Sequence, residues 1–200
     1  MSLQSVLKGM RLVTRPRGEP HVQLVILDRD GIINVDSGAA ITSEHEWQAI
    51  PGSLEAIARL NGAGYRVVVA SNQPGLRRKI LDIETLNSIH HKMQHELLEA
   101  GGGVDAVFFC SCLPKDMCEC FMPSPGMLLE IAARLRTSLG AVPVIGSTMA
   151  TIEAARAAGA RPIFVRTGAD GDKSVVKAGE DLESYDNLAA AVDSLLAETA

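Results

Sequence analysis

The chain has 200 residues, of which 46% are apolar and 22% charged, so it sits among ordinary globular proteins and wholesale disorder is excluded. Nineteen basic against 24 acidic side chains leave a net charge of −5, which argues against nucleic-acid and membrane-surface binders, since both need a positive field. Aromatic residues are too few, at 4%, for a base-stacking platform, and no run approaches the roughly 20 apolar residues of a membrane helix.

Residues 1–21 carry Lys8, Arg11, Arg15 and Arg17 against one acid, Glu19, with no apolar core leading to a small-residue cleavage site. They read as a solvated basic arm ahead of one domain spanning residues 22–200, with an organelle transit peptide as the second reading and a cytoplasmic location expected. Leu24-Val25-Ile26-Leu27 is a continuous apolar run, suited to a strand buried on both faces, and it stops abruptly at Asp28-Arg29-Asp30-Gly31. A helix follows over 53–61, a second buried strand over 65–70 and a longer helix over 83–100 with Leu86, Ile89, Met93 and Leu97 on one face. Three glycines then lead into a strand over 104–109, a helix over 125–139 and a short strand over 142–145. A helix over 151–158, a strand over 161–166 and a last helix over 188–197 complete the series, with the glycine-containing, acidic stretch 168–186 as a mobile loop. This alternation predicts a Rossmann-like α/β fold: a parallel sheet with helices on both faces and its ligand beyond the carboxyl ends of the strands.

Three clusters stand at those strand ends. Asp28 and Asp30, two residues apart with Gly31 for the turn, can set a nucleophile and a proton donor about one phosphoryl group, although DxDG alone also describes a solvated turn. Ser71-Asn72-Gln73 offers a hydroxyl and amides for phosphate oxygens, or merely caps a turn. All four cysteines fall in Cys110-x-Cys112-x5-Cys118-x-Cys120, a spacing that suits a closed, structural zinc site, with buried free thiols and a pair of disulfides as the competing readings. The histidines add little: His90, His91 and His95 lie on a predicted helix, and His91 and His95, four residues apart, could share a metal, although a solvated helix face explains them better.

In this order, Asp28-Arg29-Asp30-Gly31, Ser71-Asn72-Gln73 and the cysteine loop running into Pro123-Ser124-Pro125-Gly126-Met127 resemble the haloacid dehalogenase superfamily. Within it the motifs look most like the heptose 1,7-bisphosphate and histidinol-phosphate phosphatases. The resemblance implies a domain without a large cap, a zinc loop beside the site, and magnesium-dependent removal of phosphate from a phosphorylated small molecule, a phosphosugar above all. Asp28 would then be the nucleophile and Asp30 the acid and base, both beside magnesium; Ser71, Asn72 and Arg78 would contact substrate. Cys112 stands where the family has a zinc-ligating histidine, which zinc tolerates.

The same resemblance exposes losses. Phe121-Met122-Pro123 replaces Arg-Lys-Pro, so Met122 takes the place of the phosphate-binding lysine and Phe121 that of a substrate-binding arginine. Ser147 and Thr151 replace the two acids of Gly-Asp-x-x-x-Asp, the first of which holds magnesium. Lys79 and Lys115 are the candidate substitutes for the lysine. The expectation is a phosphatase scaffold whose turnover is weak or absent; the alternative is a non-catalytic homologue that binds, senses or scaffolds.

Overall fold

The computed structural model describes residues 23–169 and 182–199; the basic arm expected at residues 1–21 lies outside them. Six strands, β1 (Gln23–Leu27), β2 (Tyr65–Asn72), β3 (Ala106–Cys110), β4 (Pro143–Gly146), β5 (Arg161–Val165) and β6 (Ser184–Tyr185), form one sheet in the order β3-β2-β1-β4-β5-β6. Every neighbouring pair is parallel. The helices are α1 (Ser53–Gly62), α2 (Pro74–Arg77), α3 (Ile83–Glu99), α4 (Gly126–Leu135), α5 (Met149–Ala157) and α6 (Leu188–Thr199).

Alternation along the strands builds two cores. Val25, Leu27, Val67, Val69, Ile145 and Ile163 point to the face covered by α1, α3 and α6. Leu24, Ile26, Val68, Ala70 and Val144 point to the other, under α4 and α5. Strands buried on both faces need apolar residues at every position, which is why β1 reads as an unbroken run rather than an alternating one. Chain order reverses at β1, between β2 and β4, and the crevice at such a reversal is where a doubly wound sheet opens to a ligand.

Several expected boundaries move. The helix expected to reach residue 139 ends at Leu135 because Arg136 turns left-handed, at φ 52°, and the Thr137 N–H closes the turn on the Ala132 carbonyl. The one-turn helix α2 was hidden in Pro74-Gly75-Leu76-Arg77, too short to show a period. Within the stretch expected to be a mobile loop, residues 170–181 lie outside the described ones and Ser184–Tyr185 pair with β5 as the edge strand. Arg161 on β5 holds that edge by a forked hydrogen bond to Glu183, 2.9 Å on each side, and a second pair with Glu198 on α6.

Candidate active site

The end of β1 is tied to β4 by the Asp28 N–H, which donates to the Ile145 carbonyl at 2.9 Å. The chain then wraps about the Arg29 carbonyl, which accepts from the N–H groups of Ile32, Ile33 and Asn34. Gly31 sits at φ 76°, and a Cβ there would run into the Ser147 side chain and the Gly168 backbone. Only glycine lets the β1, β4 and β5 loops approach this closely. The turn leaves Asp28 buried and Asp30 partly open.

Asp28 has two hydrogen bonds. Its Oδ1 accepts from the Arg29 N–H at 2.8 Å and its Oδ2 from the Thr151 hydroxyl at 2.8 Å. Neither is a cation. Burial, with Asp30 nearby, pushes the Asp28 carboxyl up from 3.8 to about 7, against the smaller opposing effects of the two hydrogen bonds and of the Arg29 charge. Asp30 is held from several sides: Arg29 Nε and Nη2 grip it at 2.9–3.0 Å, Asn34 Nδ2 donates to Oδ1 at 2.9 Å and Gln73 Nε2 donates to Oδ2 at 3.0 Å. Gln73 Nε2 also donates to Ser71 Oγ at 2.9 Å, so the ends of β1 and β2 share one buried network.

The structure therefore brings Asp28, Asp30, Ser71, Ser147 and Thr151 together. Other expected contacts differ. Asn72, expected to touch substrate, instead clamps the cysteine loop: its Nδ2 donates to the Met122 carbonyl at 2.9 Å and its Oδ1 accepts from the Met122 N–H at 3.1 Å. Arg78 follows α2, exposed, with no side-chain hydrogen bond or ion pair among the described residues. Phe121 is partly buried, and Met122, which precedes a cis bond to Pro123, is 2% exposed within the core under α4 and α5. Met122 thus adds an apolar side chain to packing and no charge to the site. Lys79 and Lys115 are exposed, and neither bonds to Asp28 or Asp30; Lys79 lines a shallow groove with Thr42, Leu76 and Ile80.

The sequence reading assigns no role to Arg29, Asn34 or His90. Arg29 is 1% exposed, a buried cation between two acids, and His90 is half-buried against it; His91 and His95 are exposed, as expected of a solvated helix face. The signal for Arg29 was present, since a cation between two acids after a buried strand has nowhere apolar to go. His90 carried none, because its partner comes from another element.

Magnesium does not suit these residues. The oxygens left for a hard cation here are the Asp28 carboxylate and the Asp30 carbonyl, because the Asp30 carboxylate is engaged by Arg29, Asn34 and Gln73. The Thr151 hydroxyl donates to the first and the Ser147 hydroxyl to the second, at 3.2 Å. Magnesium prefers carboxylates and sheds its waters reluctantly, so two neutral hydroxyls facing one carboxylate are a poor cage.

The cysteine loop leaves β3 and returns through a one-turn 3-10 helix at Pro114–Asp116. The sulfurs of Cys110, Cys112 and Cys120 lie within 4.8 Å of one another, a group that can hold a metal. Cys118, however, is joined to Cys112 in a disulfide, so the four cysteines do not stand as the four thiolates expected. The loop is short enough that sulfurs gathered for one metal are also close enough to bond in pairs; Cys110 and Cys120 are 2.6 Å apart.

A parallel sheet whose strand order reverses, with paired acids at the reversal, defines a doubly wound α/β protein with its polar site at the strand ends, and the chain belongs to the haloacid dehalogenase-like hydrolases, whose family model matches residues 17–159. Among its relatives, the D-glycero-beta-D-manno-heptose-1,7-bisphosphate 7-phosphatase of Bordetella bronchiseptica is 46% identical over 88% of this chain and 99% of its own. The Pseudomonas aeruginosa enzyme of that name is 40% identical over 86% and 97%. The crystal structure of the B. bronchiseptica D,D-heptose 1,7-bisphosphate phosphatase, complexed with magnesium and phosphate, superposes with a TM-score of 0.85 over the same 88% and 99% at 46% identity. That of the Burkholderia thailandensis phosphatase gives 0.69 at 43% identity, over 87% and 98%.

Proposed function

We propose that this chain takes a phosphorylated small molecule, a phosphosugar by the likeness of its relatives, at the β1–β4 crevice, with Asp28 as nucleophile and Asp30 as proton donor and acceptor. Ser71 stands beside Asp30 to hold a phosphoryl oxygen. The phosphatase names of the relatives favour hydrolysis over a purely non-catalytic role, while the site's own chemistry makes that hydrolysis slow.

The observation that carries this reading is the Thr151 hydrogen bond to Asp28. Attack on phosphorus requires the ionised carboxylate, yet Asp28 at about 7 is half protonated at neutral pH, and an approaching phosphate dianion favours its protonated form further. The bonded groups around it are a hydroxyl and an amide, where phosphoryl transfer needs fixed positive charge. Losing one charge-stabilising donor costs about 10²–10³ in rate, and here both a lysine and carboxylates are replaced. Arg29 does not fill the gap, since its guanidinium is turned to Asp30.

The test is turnover of heptose 1,7-bisphosphate and of a generic phosphomonoester by wild type, Asp28→Asn and the triple variant Met122→Lys/Ser147→Asp/Thr151→Asp, with magnesium present. Wild-type kcat/KM is expected at least about 10²-fold below the triple variant, any residual rate vanishing in Asp28→Asn. A wild type within tenfold of the triple variant overturns the reading.

We also propose that the reduced cysteine loop holds one zinc through Cys110, Cys112, Cys118 and Cys120. Tetrahedral zinc with bonds of about 2.3 Å sets its sulfurs roughly 3.8 Å apart, and three of the four sulfurs already lie within 4.8 Å of one another. Such an ion supplies folding energy rather than chemistry. Protein purified under reducing conditions is expected to carry about one equivalent, lost in Cys118→Ser; metal-free, fully folded wild type refutes it.

A further inference from the structure

Arg29 is the hinge of the site, and its own orientation needs an explanation. A guanidinium has two edges and one free corner. The Nε–Nη2 edge of Arg29 grips Asp30, with Nε 3.0 Å from Oδ1 and Nη2 2.9 and 3.0 Å from Oδ1 and Oδ2. The remaining corner, Nη1, lies 3.4 Å from Nε2 of His90, one turn before Met93 on α3. Arginine keeps its protons in proteins, so Nη1 donates and the imidazole nitrogen accepts. That requires the tautomer with hydrogen on Nδ1. Burial and the Arg29 charge lower the His90 pKa from 6.5 to about 4, which keeps the ring uncharged at neutral pH and able to accept. Phe109, at the end of β3, packs against the same ring with centroids 6.2 Å apart and planes at 51°, and so limits how the imidazole can rotate.

We propose that His90 is a positioning residue: by accepting from Arg29 Nη1 it holds the guanidinium so that its other edge orients Asp30 toward the leaving oxygen of the substrate. A buried arginine with a single carboxylate partner can rock about that contact; a third anchor from α3 removes the freedom. The chain of contact runs from α3 through Arg29 to Asp30, and His90 itself touches neither acid. The consequence for turnover rests on the reading of Asp30 as proton donor; the hydrogen bond itself does not.

Two substitutions separate this role from packing. His90→Phe keeps an aromatic ring against Phe109 and removes the acceptor. His90→Gln keeps an acceptor and removes the ring. In the triple variant, where turnover is large enough to divide into its parts, His90→Phe is expected to lower kcat by about tenfold or more with KM nearly unchanged, and His90→Gln to retain most of it. The reverse ranking, Phe active and Gln impaired, overturns the proposal in favour of packing.

A second readout needs no turnover. In wild-type protein, nitrogen NMR is expected to show His90 protonated at Nδ1 alone at neutral pH. The Arg29 Nε–H should exchange with water about tenfold faster in His90→Phe than in wild type or His90→Gln. A His90 protonated at Nε2, or an Arg29 signal indifferent to both substitutions, overturns it. If the triple variant is inactive, the reading of the reaction fails, and the NMR result still decides whether His90 fixes Arg29.

Discussion

Asp28 is a carboxyl group set into a place that suits its protonated form. Burial lifts it from 3.8 to about 7, so the folded protein holds a proton that the unfolded chain releases near pH 4. Its contribution to stability is therefore fully present below pH 3.8 and is lost as pH rises through about 7. His90 works in the opposite sense: lowered from 6.5 to about 4, it removes stability as pH falls through that window. The overall pH profile thus mixes two effects, and the difference between wild type and Asp28→Asn isolates the first. In chelator, Asp28→Asn is expected to be the more stable protein at pH 8, by up to about 4 kcal/mol in urea unfolding, with the gap closing toward pH 4. A gap independent of pH contradicts the description of Asp28 as a buried carboxyl bonded only by neutral donors.

At the scale of elements, the site is assembled by clamps between loops. Asn72, at the last position of β2, bonds both the N–H and the carbonyl of Met122, fixing the chain where the cysteine loop turns toward α4. Asn72→Ala leaves both groups of a buried residue unpaired, and a loss of about 1–3 kcal/mol is expected from the melting transition. If Asn72 served substrate alone, the variant would melt as wild type does and only KM would change. Lys92 on α3 does similar work for the loop after β1, donating to the Glu44 and Trp47 carbonyls at 3.0 and 2.9 Å. Helix α3 therefore braces that loop through Lys92 and meets the Arg29 guanidinium through His90, two residues apart.

Over the whole molecule, the order β3-β2-β1-β4-β5-β6 decides where the polar motifs gather, because chain order reverses at β1 and the loops that follow β1, β2 and β4 meet beyond that reversal. Most of this was readable in the sequence. Apolar runs such as Leu24-Val25-Ile26-Leu27 and Tyr65-Arg66-Val67-Val68-Val69-Ala70 mark doubly buried strands, and polar motifs directly after them mark the crevice. What could not be read depends on distant contacts. The two-residue edge strand at Ser184–Tyr185 is too short for a pattern and exists because β5 offers it hydrogen bonds. His90 looks like a surface histidine until Arg29 arrives from β1, and Asn72 like a ligand contact until Met122 arrives 50 residues later. No helix among the described residues is long and apolar enough to cross a membrane.

The proposed function holds that this fold keeps its nucleophile, Asp28, and lacks the charge needed to use it. It is tested most directly by the magnesium dependence of kcat/KM for wild type and for Met122→Lys/Ser147→Asp/Thr151→Asp, measured side by side on heptose 1,7-bisphosphate. The triple variant is expected to be magnesium-dependent and at least about 10²-fold faster than a wild type nearly indifferent to the ion. A wild type that is already fast and saturates with magnesium, gaining nothing from the three substitutions, would contradict it.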